Sequence, residues 1–553
     1  MRDLRTYLEL LKDEAPDQLV TVSEPVDWKY EITSYVMEME RRQTNPAVLF
    51  EDVKGCSMPL LVNLFGHVDR ISLGIGETPE ARTRLGFYDE WNRLFAKDVP
   101  PIHVKHGPVK EMKALEGAVD LRSLPIPMFY EQDGGRYVTA GLFLARNPEK
   151  HEEVNLSYVR MHLQGRDRFG VSFHSRGHMW QYFEKAKAAG EPMEAAVVIG
   201  AHPSLYLAAA AKITDEYHKA GALTGEPVEL VKCETVDLPV PADAEAVLEG
   251  KVLLEEGDEG PFTEYTGYIS GRSTRNLFKV TGVTRRKDAV FLAVAPSNSA
   301  EHLLLSGLPK QARISRAMTD FIHTPALEDI LWPVWATHFA CFVSMKESVR
   351  GSSGLAKQMG LLLLGLDHYV KMVVVLPHGV DVSDPAGVLG AVAERCDFKP
   401  GSGVDVVGKV YSQLLDPSSD EAGMSSKMII DATGPRVTPK RETGLTDVIG
   451  VKGIKDASFP YGDSTALCVI RLEQGVKDLD WVFEEEALSG CRMVVCVDDD
   501  IDIHDGRQIL WAMATRYQPA EDSVFKDDRL LVDARRGDAW TALRATLPFE
   551  RVA

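Results

Sequence analysis

Hydrophobic and polar positions alternate along Val154-Asn155-Leu156-Ser157-Tyr158-Val159-Arg160, the period of a β-strand with one face turned to a core. A similar run, Tyr137 to Ala145, precedes it, and Arg146-Asn147-Pro148-Glu149-Lys150 between them has the composition of a turn. Nearer the N-terminus, helical periodicity over Leu4–Leu11 and Glu31–Arg42 alternates with strand-like Leu19–Val22 and Ala47–Phe50, predicting a small α/β domain over residues 1–115. Pro100-Pro101 and Leu124-Pro125-Ile126-Pro127 predict extended linkers, because proline disfavours helix in the residue before it. Gly74-Ile75-Gly76 lacks the third glycine of a dinucleotide fingerprint and reads as a loop.

Strand patterns dominate residues 116–325, at 137–145, 154–164, 194–200, 227–234, 249–254, 277–283 and 289–295, with helices over 178–189 and 203–211. This predicts a β-rich, split-barrel-like middle domain. Residues 326–553 alternate strands and helices as a parallel α/β sheet does. They contain an internal repeat: Lys371-Met372-Val373-Val374-Val375-Leu376 through Arg395 matches Arg492-Met493-Val494-Val495-Cys496-Val497 through Arg516 without a gap. Identical pairs include Asp381 and Asp502, Asp384 and Asp505, and Leu389 and Leu510. The fold class is mixed α/β in three regions.

Composition narrows the function classes. A 553-residue chain, 44% hydrophobic and 26% charged, is expected to be globular with several cores. A formal charge of -20 argues against phosphate-backbone binding, so no nucleic-acid partner is expected. Seven scattered cysteines without CxxC pairs suggest a reducing, cytoplasmic setting. The first residues predict an amphipathic helix and not a signal peptide. The most apolar run, Met359 to Leu376, is interrupted by Asp367, His368 and Lys371, so no membrane span is expected.

Four segments carry candidate chemistry. The strand above holds an amide, a hydroxyl and a guanidinium, which an edge strand facing water would also tolerate. His174 and His178 stand one helical turn apart, but the pair lacks the glutamate of a zinc-protease motif. A single histidine at the helix start is the better ligand candidate. Glu216 follows Lys212-Ile213-Thr214-Asp215 and reads either as a helix-start charge or as an oxygen ligand for a divalent cation. Glu259-Gly260-Pro261-Phe262-Thr263-Glu264 is either an acidic surface loop or two carboxylates folded around one cavity by Gly-Pro. Two such carboxylates beside an arginine divide acid and base roles. The acidic run Asp498-Asp499-Asp500-Ile501-Asp502 reads as a solvated turn more than as a metal site.

Taken in order, Asn155-x-Ser157-x-x-Arg160, His178, Glu216 and Glu259-Gly-Pro-Phe-x-Glu264 resemble the UbiD-like family of decarboxylases that use prenylated FMN, to which ferulic and cinnamic acid decarboxylases belong. Val231-Lys232-Cys233-Glu234-Thr235 and Gly267-Tyr268 are similar to it too. The resemblance implies a Mn²⁺-type ion (or Mg²⁺) held by Asn155, His178 and Glu216 against the flavin phosphate, with K⁺ nearby. It implies cofactor contacts from Asn155, Ser157, Val159, Arg160, His178 and Glu216, and a catalytic trio of Arg160, Glu259 and Glu264. It further implies reversible decarboxylation of an aromatic, heteroaromatic or α,β-unsaturated carboxylic acid, with CO₂ as co-product. A flavin prenyltransferase would supply the cofactor, and a homodimer or higher homo-oligomer is expected. A metal-dependent hydrolase using Glu259 and Glu264, or a non-catalytic subunit of a carboxylase complex, are the alternatives. The resemblance also implies a single strand–turn–helix unit near the C-terminus, from which the second copy here departs. Asn155 and Arg160 have opposite strand parity, so a bulge, or a strand end at Val159, is needed to bring them to one site.

Overall fold

Leu19–Val22, Ala47–Phe50 and Leu60–Val62 form strands where leucine and β-branched residues cluster, joined at the edge by Phe291–Leu292. Helices Leu4–Glu14 and Glu31–Arg41 bury one face each, and Asp3 closes a capping box on the first with Thr6. The computed structural model describes residues 3–547 apart from 76–81, 174–176, 272, 323–324, 352–353, 413, 421, 438, 440–443, 463 and 538–539, and the side chains of 273 and 274 are not described. Gly74-Ile75 follows helix Val68–Leu73, while Gly76 lies outside the described residues. The chain divides into two units: residues to 313 together with those from 543 onward, and residues 314–542.

The first unit is built on an antiparallel sheet, nine-stranded among the described residues. Its spatial order is Tyr137–Val138, Met161–Leu163, Arg168–Val171, Ser273–Arg285, Ala246–Glu259, Met193–Ile199, Leu142–Arg146, Val154–Tyr158, with Met112–Leu115 added on Ser273–Arg285. The two long central strands slip register between Glu249 and Gly250 and between Val252 and Glu256. Such bulges bend and twist a sheet, which curls this one into half a barrel. Three sequence readings need correction. The run 137–145 is two strands separated by Thr139-Ala140-Gly141, not one. The segment 227–234 leaves the large sheet, and Glu229–Lys232 pairs with Pro239–Pro241 and Ile102–His103. Leu124-Pro125-Ile126-Pro127 is buried and not a free linker, and Arg136 donates to the Ile126 carbonyl.

In the second unit the repeat is larger than its sequence signal. Strands Met372–Leu376 and Met493–Val497 and helices Pro385–Arg395 and Gly506–Arg516 keep the 121-residue offset throughout. Among the described residues each copy sits in a five-stranded sheet with the same order and the same alternation of antiparallel, parallel, parallel and antiparallel pairing. Asp384 and Asp505 recur because each caps its helix, accepting from the backbone N–H two residues on, an interaction worth about 1 kcal/mol. Lys371 Nζ donates to the Tyr517 carbonyl at 3.3 Å and Arg492 Nη2 to the Cys396 carbonyl at 2.7 Å. The two pairs are equivalent positions of opposite copies. Arg516 and Arg536 both pair with Asp498 and Asp500, so the acidic run is a neutralised turn.

Candidate active site

Strand Val154–Tyr158 ends before Arg160, and the next strand begins at Met161. Strict alternation therefore stops short of Arg160, which removes the parity conflict with Asn155. Arg160 sits where the chain turns between two strands of the large sheet. Its Nε and Nη2 donate to Oε1 and Oε2 of Glu259, both at 2.9 Å, in a two-bonded fork. Nη1 pairs with Glu264. The guanidinium also lies over the Phe262 ring, 5.0 Å from its centroid. Glu259 is fully buried and Glu264 8% exposed, so an acidic surface loop is excluded. Burial opposes the Arg160 charge, and Glu264 and Glu259 more than offset it, holding the guanidinium above its ordinary value.

Why the two carboxylates converge is local geometry. Glu259 is the last residue of the long strand Ala246–Glu259. Gly260 then takes φ +91°, a conformation open to glycine, and turns the chain away. Phe262–Thr263 and Ile269–Ser270 form a small hairpin, with Glu264 N–H donating to the Tyr268 carbonyl at 2.9 Å. Glu264 is thus the first residue beyond the strand and faces back to Arg160.

The loop before the first sheet strand frames this hairpin, and sequence reasoning missed it. Gly260 N–H donates to Tyr137 Oη, and Tyr137 O–H donates to the Pro261 carbonyl, each at 3.1 Å. Gly134 approaches so closely that a Cβ there would meet the Gly260 carbonyl oxygen at 2.5 Å. Asp133 Oδ1 accepts from both N–H and O–H of Thr263 at 2.9 Å, one residue from Glu264. The available signal was Asp133-Gly134-Gly135, which any tight turn shares.

Burial raises Asp133 from the ordinary 3.8 to about 6, against hydrogen bonds that lower it. The unfolded chain ionises this group near 3.8 and the folded chain near 6. Its stabilising contribution is therefore complete below the lower value and lost as pH rises through the upper, at about 1.4 kcal/mol per unit. The urea midpoint of wild-type protein is expected to carry that loss between pH 4 and 6, and Asp133→Asn, neutral throughout, to lack it. Equal pH slopes in the two proteins would count against this assignment.

A second cluster is built on strand Val154–Tyr158, which precedes Arg160. Asn155 Nδ2 stands 2.6 Å from Glu216 Oε1 and 3.3 Å from His178 Nδ1, while Ser157 Oγ donates to Asn155 Oδ1 at 2.8 Å. His178 opens helix His178–Ala189 and Glu216 opens helix Glu216–Thr224. His174, the other imidazole considered, lies outside the described residues. Val159 is buried between the two clusters in sequence. Glu216 is only 2% exposed, and burial pushes its carboxyl up to about 8. Among the described residues its buried Oε2 has no hydrogen-bond partner. A helix-start charge in water would have neither property.

These donors fit a cation. Rotating the Asn155 amide by half a turn brings Oδ1 against Glu216 and His178, so that two oxygens and a nitrogen converge. Ser157 Oγ serves either orientation, since a hydroxyl both donates and accepts. A cavity of about 600 Å³ opens beside Glu216, lined among others by Glu153, Val154, Asp215, Arg146 and Lys232. Glu259 and Glu264 are both engaged by one guanidinium, that of Arg160.

Three family models match most of the chain. They are described as the N-terminal domain (residues 10–85), the Rift-related domain (102–299) and the C-terminal domain (304–432 and 444–533) of 3-octaprenyl-4-hydroxybenzoate carboxy-lyase, UbiD. Both repeat copies fall within the C-terminal match, so the second copy is not an addition outside the family's domain. An uncharacterized protein of Aquifex aeolicus is 32% identical over 470 residues, covering 80% of this chain and 93% of its own. The UbiD-class enzyme HmfF of Pelotomaculum thermopropionicum, solved with FMN, is 34% identical with a TM-score of 0.70, over 78% of this chain and 94% of its own. An evolved dimeric form of it was solved with prFMN (32%, TM-score 0.67, 79% and 95%). The 3,4-dihydroxybenzoic acid decarboxylase AroY of Klebsiella pneumoniae is 25% identical with a TM-score of 0.71, over 78% and 94%.

Proposed function

The chain belongs to the UbiD family, and from that premise we propose that it catalyses reversible, non-oxidative decarboxylation of an aromatic, heteroaromatic or α,β-unsaturated carboxylic acid with prenylated FMN. The observation that carries this reading is one guanidinium holding two buried carboxylates, Glu259 by a fork and Glu264 by its remaining nitrogen. Asn155, Ser157, Val159, His178 and Glu216 are the proposed cofactor side of the site, and Asn155, His178 and Glu216 the ligands of Mn²⁺ or Mg²⁺, with K⁺ as a further ion. When bound, prenylated FMN supplies an electron sink for the carbon that loses CO₂.

The chain's own residues do the rest. Arg160 presents a rigid cationic fork that fixes both oxygens of Glu259 and orients a substrate carboxylate nearby. When the carbon–carbon bond breaks, its electron pair stays with the substrate carbon and CO₂ leaves. Glu264, as the carboxylic acid, transfers its proton to that carbon and is reprotonated from solvent. The reverse sequence carboxylates the same carbon at high CO₂.

A flavin prenyltransferase is the proposed cofactor supplier, and self-association the proposed assembly. Seven free cysteines suit a reducing, cytoplasmic compartment. Among the described residues no helix is long and apolar enough to cross a membrane. The reading is tested by co-expression with a flavin prenyltransferase, followed by a visible spectrum and CO₂ release from 3,4-dihydroxybenzoate, cinnamate and 2-furoate. Flavin-loaded protein that releases CO₂ from none of these classes would contradict it.

Glu216→Ala is expected to lower bound Mn²⁺ and bound flavin together, because the cation would tie the flavin phosphate to Asn155, His178 and Glu216. Full flavin occupancy in metal-free protein would contradict that coupling.

A further inference from the structure

The hairpin that carries Glu264 does not stand alone. Two-stranded hairpins are marginal in water, and an exposed edge pairs readily with another strand. Here that strand comes from the far end of the sequence. Ile269 N–H donates to the Leu543 carbonyl and Ala545 N–H to the Gly267 carbonyl, both at 2.9 Å, with Tyr268 opposite Arg544 in an antiparallel bridge. Gly267 N–H in turn donates to the Glu264 carbonyl at 3.0 Å, so the added strand grips the turn that Glu264 begins.

The same segment reaches the loop on the other side of Glu264. Glu131 N–H donates to the Thr546 carbonyl at 3.2 Å, and Thr546 N–H to Gln132 Oε1 at 3.0 Å. Thr546 O–H donates to Glu131 Oε2 at 2.9 Å, and Gln132 Nε2 to Thr546 Oγ1 at 2.5 Å. Asp133, next in the chain, is the residue that accepts both hydrogen bonds of Thr263. Four consecutive residues therefore join both supports of Glu264, yet Leu543 is 64% exposed and buries little apolar surface. Hydrogen bonding, more than burial of apolar surface, holds the segment.

We propose that Leu543–Thr546 is a C-terminal strap that positions Glu264 for proton transfer to substrate carbon. The inference rests on the reading of Glu264 as proton donor and adds the element that sets its reach. The strap is a positioning element: the hydrogen bonds above tie it to Glu131, Gln132, Gly267 and Ile269, which flank Glu264 on both sides.

The test uses full-length holoenzyme on whichever of 3,4-dihydroxybenzoate, cinnamate and 2-furoate the wild type turns over. Ala545→Pro deletes the N–H that bonds Gly267, while Ala545→Ser keeps it. A chain ending at Ala542 removes the strap, and a synthetic peptide of residues 543–553 returns it by strand addition. Expected for Ala545→Pro and for the shortened chain are unchanged flavin absorbance, KM close to wild type, and kcat lowered at least about tenfold, with a larger solvent deuterium isotope effect. Ala545→Ser and the added peptide should restore kcat. Wild-type kcat in both altered proteins, or loss of flavin in step with kcat, would overturn the strap. Glu264→Gln run beside them separates the two levels. Slow Glu264→Gln with normal strap variants removes the strap alone, and normal Glu264→Gln removes the reading beneath it.

Discussion

Glu264→Gln holoenzyme is expected to turn over on the order of 10²- to 10⁴-fold more slowly than wild type, a barrier rise of about 3 to 5 kcal/mol. Glutamine matches glutamate in shape, and its carbonyl oxygen still accepts from Arg160, so the hairpin and the fork on Glu259 should survive. What it lacks is a transferable proton. Flavin and metal contents should be unchanged, because the proposed ligands Asn155, His178 and Glu216 sit on other elements. A rate near wild type would move the acid role to Glu259 or to water.

Arg160→Lys should retain flavin and lose turnover by about 10²-fold or more. Arginine makes three charge-assisted contacts here, two to Glu259 and one to Glu264. Each such bond contributes about 1.5–3 kcal/mol. A single ammonium on a flexible stem cannot meet both oxygens of Glu259 and also Glu264. Glu259 has no exposed surface from which water would replace the lost donor, so its position or its charge must change. Near-normal activity in Arg160→Lys would mean that the fork does not set the geometry of the reaction.

How much of this was legible in the sequence depends on the range of the interaction. Local patterns placed Leu19–Val22, Ala47–Phe50 and helix His178–Ala189 at their observed bounds, because period and turn residues lie within a few positions. The repeat was visible from Lys371 and Arg492 onward, where both copies share one offset. Its flanking strands were not, since the intervals to Ala340–Met345 and Leu467–Leu472 differ in length between copies. The six residues singled out by type, Asn155, Arg160, His178, Glu216, Glu259 and Glu264, fall into two clusters that spacing alone did not divide. Asp133, Tyr137 and the strap carry turn-like or unremarkable sequence, and their partners are 130, 123 and more than 270 residues away. Only the folded chain brings them to Glu264. The segment 227–234 had strand character without any local sign of which sheet it would join, and register between distant strands is a property of the whole core.

The central claim, that carbon protonation by this chain's Glu264 completes a decarboxylation, is tested most directly by running the reaction in D₂O and locating deuterium in the product. Wild-type holoenzyme should give product with one deuterium at the carbon that held the carboxylate, at a rate matching CO₂ release, and Glu264→Gln should form that product at no more than about one hundredth of the rate. Equal deuterium incorporation and equal rates in the two proteins would contradict the account.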